Sequence, residues 1–122
     1  MNKRKLVDYT SMYEALATLM KTELPEVELY FAIGWAVCAR PEKGAAVAAA
    51  EFLQANFPDR TGFSPRNVRR MRDFYRTYEN DQTLLRLAMK IGWTLNVVIM
   101  EAELTRAQRM LCLQMTTVKN LS

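Results

Sequence analysis

The sequence predicts an all-α protein: a compact bundle of six to seven helices that contains a helix-turn-helix-like unit. Apolar residues recur every three to four positions along most of the chain, the spacing of one helix face. No segment shows the strict apolar-polar alternation of a half-buried strand. Breaks at Pro25, Pro41, Gly44, Pro58 and Gly62 fall where one apolar stripe ends and the next begins. With 122 residues, half of them apolar and a quarter charged, the chain has the size and composition of one domain, residues 1–122.

Each helix has its own signal. From Tyr9 to Met20, Met12, Leu16, Leu19 and Met20 fall on one stripe with Tyr9 and Tyr13, and "ELPE" ends that helix before Pro25. The second, "EVELYFAIGWAVCAR", is apolar around much of its circumference, which predicts burial on more than one side and makes it the spine of the core. The third, in "PEKGAAVAAAEFLQANF", runs through alanines that let a neighbour approach closely, then closes with Phe52, Leu53 and Phe57. Turn residues follow in "PDRTGF". Ser64 then stands at an N-cap position with Pro65 at the first helical position, so a fourth helix starts there. A shorter helix covers about Asp81 to Met89, with a turn at "KIGW". Thr94 is placed to cap a helix from Leu95 to about Glu103, and Thr105 to cap a last one to about Val118. Trp35 and Trp93 both read as core residues, and the methionines as adaptable core filling, although Met89, Met100, Met110 and Met115 offer a partner something to pack on.

Composition excludes several functions. No apolar run is long enough to cross a bilayer, and no signal-length apolar stretch follows the basic start "MNKRK", so a cytoplasmic protein with no membrane partner is expected. Cys38 and Cys112 are the only cysteines and histidine is absent, so there is no disulfide framework, no zinc site of standard spacing and no Ser-His-Asp or Cys-His pair. "RPEKGAAV" lacks the spacing of a phosphate-binding loop. Glu101 and Glu103 point to different sides of a helix and read as a solvated helix end. Neither catalysis nor a cofactor is expected.

The formal charge of +4 is unevenly spread. Residues 60–76 hold six arginines against Asp73, a local +5 that leaves the rest of the chain at −1. Within "FSPRNVRRMRDFYRTY", Val68, Met71, Phe74, Tyr75 and Tyr78 form one stripe facing the core. Arg66, Arg69, Arg70 and Arg76 lie mainly opposite it, Arg72 lies at the edge, and Asn67 near the helix start can reach a base edge or bind backbone. The third helix, a turn and this basic fourth helix have the order of a helix-turn-helix, with a turn longer than usual.

The succession "ELYFAIGWAV", "FPDRTGFSPRNVRRMRDFYRTY", "IGWTLNVVIMEAELT" and "RMLCLQMTT", about residues 28–117, resembles the N-terminal helical domain of the YhcG-type family. Its most specific part is the block Gly62, Phe63, Ser64, Arg66, Asn67, Met71, Arg72, Phe74 and Tyr75. The resemblance implies a winged-helix-like or helix-turn-helix module that binds DNA and, in full-length relatives, precedes a PD-(D/E)xK-type nuclease. Two features depart from that pattern. Leu95 follows Trp93 and Thr94 where relatives commonly carry histidine. No lysine has an acidic residue two positions before it, so the metal-holding nuclease element is missing, and a stand-alone domain is expected.

The expected function is therefore binding of double-stranded DNA by a small regulator or recruiting subunit. Arg60, Ser64, Arg66, Asn67, Arg69, Arg70 and Arg76 form the contact set, with Lys3, Arg4 and Lys5 as further phosphate contacts. A homodimer is expected, with a separate nuclease as a further partner. The alternative is a protein-interaction or oligomerisation module whose arginines meet an acidic protein.

Overall fold

A computed structural model describes residues 6–120, so Lys3, Arg4 and Lys5 lie outside the described residues. It contains α1 (Thr10–Met20), α2 (Glu26–Cys38), α3 (Ala45–Asn56), α4 (Pro65–Tyr78), α5 (Gln82–Ala88), α6 (Trp93–Glu101) and α7 (Arg106–Asn120). Among the described residues there is no strand, so the wing of a winged helix has no counterpart. Among the described residues no helix is long and apolar enough to cross a membrane.

The all-round apolar character of α2 is explained by its position between two cores. On one side Leu29, Ile33 and Val37 meet Met12 and Leu16 of α1, Ala46, Ala49 and Leu53 of α3, and Val68 and Met71 of α4. On the other, Val27 joins Phe74 and Tyr78 of α4, Leu84 of α5, Ile91, Ile99 of α6 and Leu113 of α7. Because α4 also feeds both cores, the α2–α4 contact is the most extensive in the molecule and acts as a shared wall. Gly34 sets its closeness: a Cβ there would sit 2.1 Å from the Met71 carbonyl oxygen. Edge-to-face rings bind the wall together, with Tyr30 and Phe74 both meeting Trp93, at centroid distances of 4.9 and 5.3 Å.

Three local expectations are corrected. Trp35 is not core: it is 52% exposed, because the face of α2 that carries it is turned away from both cores. Thr94 does not cap α6, since Gly92 holds the N-cap position and Trp93 is already helical, its indole wedged between the cores. The buried Asn96 holds that turn instead, its amide donating to the carbonyls of Ala88, Ile91 and Gly92 at 2.9, 3.3 and 3.1 Å. Met89, Met100 and Met110 pack on the second core, which leaves only Met115 of the four exposed. Cys38 and Cys112 are free and partly buried.

Candidate nucleic-acid interface

The start of α4 is built as a rigid joint. Gly62 has φ +93°, in the left-handed region that glycine adopts without a Cβ clash, and any Cβ there would meet the Tyr30 hydroxyl at 2.6 Å. Phe63 then buries its ring in the first core while its carbonyl accepts from Gln54 Nε2 of α3 at 2.9 Å. Ser64 is extended and its Oγ accepts the Asn67 amide N–H at 3.1 Å, with Pro65 opening the helix. This cap satisfies one of the unpaired amides of the first turn. Its hydroxyl is thereby engaged inside the protein, although Ser64 is exposed.

Asn67 is also engaged inside the protein. Its Nδ2 donates to the Gly62 carbonyl at 2.6 Å, and its Oδ1 accepts from Trp93 Nε1 at 2.9 Å. One amide thus ties the turn to α4 and α4 to α6. That assignment also fixes which end of the amide faces which partner.

The buried residues of α4 are Val68, Met71, Phe74 and Tyr78, so the opposite side of the helix faces outward. Arg66, Arg69 and Arg76 are exposed on it, and Arg60 is exposed in the turn leading to it. None of these four is in an ion pair among the described residues. Arg70 is different, since its Nε donates to Glu101 Oε1 of α6 at 2.7 Å. Glu101, expected to be merely solvated, thus partly neutralises one member of the arginine row. Arg72 at the edge engages Asp73 at 3.3 Å, and Asp73 lies within the row. Tyr75 flanks the core, tilted against Phe31 with centroids 5.0 Å apart.

Two groups beside the row were missed by the sequence reading. Arg40 and Lys43, in the α2–α3 connection, line a cavity of about 210 Å³ together with Arg72 and Arg76. Trp35 and Tyr75 line a second hollow of about 280 Å³ on the other side of Arg76. The only available signal was the density of charge in "ARPEKG". Burial pushes the Cys38 thiol up, against the opposing pull of Arg76, so it stands beside this flank as a neutral group. Burial likewise raises the Tyr30 hydroxyl, with Arg60 pulling the other way, which places the Arg60 charge near the Gly62 turn. Among the described residues no group of acidic or sulfur ligands is arranged to hold a metal ion.

Fold and site together define a small all-α domain with an arginine-dominated helix face held out by a capped, hydrogen-bonded turn. The chain belongs to the family described as DUF1016 N-terminal domain, whose model matches residues 12–122. The match begins within α1 rather than at about residue 28, so α1 is part of the family unit and not an addition to it. No curated protein and no solved structure matches the chain.

Proposed function

We propose that the domain binds double-stranded DNA through the exposed side of α4, as a small regulator or a recruiting subunit. The observation that supports this most is the set Arg60, Arg66, Arg69 and Arg76, exposed on one side and without ion pairs among the described residues. Arginine suits the task because its planar fork engages phosphate oxygens or a guanine edge through two hydrogen bonds. The α3–turn–α4 order is that of a helix-turn-helix, in which the second helix presents its first turns to the major groove. Arg66 and Arg69 occupy those turns, whereas the Asn67 side chain is turned to Gly62 and Trp93.

The test is binding to a generic labelled duplex across a salt series. Four phosphate contacts give a log-log slope of about −3.6, and Arg66→Ala with Arg69→Ala flattens it by about two units. Arg70→Ala changes it less, because the Glu101 pair already offsets that charge. Absence of duplex binding at low salt refutes the proposal.

A second reading, self-association or docking of an acidic protein, has its own support. Leu111, Met115 and Val118 form an i, i+4, i+7 stripe on α7 and are 57%, 55% and 69% exposed. A homodimer through this stripe is compatible with DNA binding by α4. A monomeric mass by light scattering at tens of micromolar argues against it.

A further inference from the structure

The flank of α4 beyond the arginine row carries two adjoining hollows that share Arg76. One is an aromatic shelf. Trp35 is 52% exposed there, beside Tyr75, whose ring is held by Phe31. The other is a cationic cavity of about 210 Å³ lined by Arg40, Lys43, Arg72 and Arg76 against the single carboxylate of Glu42. Arg40 is held in place by two hydrogen bonds to Glu42, at 2.8 and 3.1 Å, while Lys43 has no ion pair among the described residues. The helix α3 starts at this cavity with no side chain capping it, and its positive end adds to the same field.

We propose that this flank holds an unpaired nucleotide of a single-stranded nucleic-acid segment, with the base on Trp35 and its phosphate in the Arg40–Lys43–Arg72–Arg76 cavity. A large aromatic exposed beside a cationic pocket is the pairing that single-strand binders use, stacking for the base and charge for the backbone. A base within a duplex offers no free face, because its neighbours cover both sides, so stacking on Trp35 selects an unpaired one. The polarity of the two hollows sets the orientation. Glu79 lines the shelf and repels a phosphate there, while four cations line the neighbouring cavity, of which Arg40 pairs with Glu42 and Arg72 with Asp73, leaving Lys43 and Arg76 without ion pairs among the described residues. At about 30 Å³ per water, the cavity has room for a phosphate group and its last waters. Arg76 belongs to both hollows and to the α4 face, so the strand continues onto the surface proposed above for duplex. The inference rests on that reading of the α4 arginines.

The test compares two labelled probes on the full chain, a single strand of about ten nucleotides and a blunt duplex. Trp35→Ala is expected to weaken the single strand roughly 5- to 150-fold and to leave the duplex within about twofold. The single strand should quench tryptophan emission in the native chain and not in Trp35→Ala, where Trp93 remains as a half-buried control. Lys43→Ala should flatten the single-strand salt slope by about 0.7. Unchanged single-strand affinity in Trp35→Ala, or an equal loss for both probes, overturns the stacking site. Those results leave the duplex proposal standing, which fails on different data, namely a native chain that does not bind the blunt duplex at low salt.

Discussion

Replacing Asn67 with alanine separates a structural amide from a base-reading one. The substitution removes the bond to the Gly62 carbonyl at 2.6 Å and strands the Trp93 indole N–H, which now donates to Oδ1 at 2.9 Å. Two net hydrogen bonds contribute about 1–3 kcal/mol, and an indole N–H left without a partner in a half-buried site adds to the loss. A total of roughly 2–3 kcal/mol follows. At about 2.1 cal/mol/K of unfolding entropy per residue, each kcal/mol moves the midpoint of a chain this size by about 4 °C, so Tm should fall roughly 8–12 °C. Thermal and urea denaturation measure the loss, and duplex affinity at a temperature where both proteins are folded measures what remains. The expected pattern is lower stability with duplex affinity per folded molecule largely kept. A variant with native Tm that no longer binds duplex would refute the assignment and return Asn67 to the ligand surface.

Two further predictions probe the scaffold. Gly34→Ala places a Cβ 2.1 Å from the Met71 oxygen and 2.8 Å from its carbonyl carbon, both backbone, so α2 and α4 must separate. The cost should be about 3 kcal/mol or more in a urea melt, and native-like stability would contradict the close crossing. Asp81 caps α5 through Leu84 N–H and accepts from Arg106 at 2.7 and 3.2 Å, with Arg106 the main cause holding its carboxyl below the ordinary 3.8. A depressed carboxyl contributes stability that is complete above its unfolded value and is lost as pH falls through the folded one. Acid unfolding of the native chain should therefore steepen below about pH 4, and Asp81→Asn should flatten that limb while lowering stability at neutral pH. An identical acid limb in both proteins rules out the contribution.

What the sequence made legible depends on how local the cause is. The start of α4 could be read because Ser64, Pro65 and the stripe from Val68 to Tyr78 all act within one helix. The double-sided burial of α2 was also readable, since almost every position on it is apolar. That same feature hid Trp35. When a helix is apolar all round, periodicity cannot say which residue is left outside, and only the positions of α1, α3 and α4 decide it. The partners of Asn67 and Arg70 stayed hidden for a related reason. Those partners, Trp93 and Glu101, lie 26 and 31 residues away, and nothing within α4 announces them. The start of α6 failed differently: Thr94 is a good capping residue, but burial of the Trp93 indole goes with a helix start two positions earlier, at Trp93 rather than Leu95.

The nine residues most specific to the family resemblance and the residues that carry the exposed charge are largely different sets. Among the nine block residues Gly62, Phe63, Ser64, Arg66, Asn67, Met71, Arg72, Phe74 and Tyr75, Gly62 makes the turn, Phe63, Met71 and Phe74 fill the cores, and Ser64 and Asn67 tie the joint. Arg66 alone in that block is an exposed cation without an ion pair among the described residues. Arg60, Arg69 and Arg76, which complete the exposed set, are not among those nine residues, although they lie within the matched residues 12–122. Those nine residues therefore mostly hold and aim α4, while the field it presents is set by surface positions that the scaffold does not use. Because substitutions at such positions usually change stability by less than about 0.5 kcal/mol, Arg60, Arg66 and Arg69 can be neutralised singly without moving the helix. Binding lost in that series is then lost to charge, whereas binding lost together with stability in Asn67→Ala or Gly34→Ala is lost to the frame. The two series together assign the affinity to one or the other.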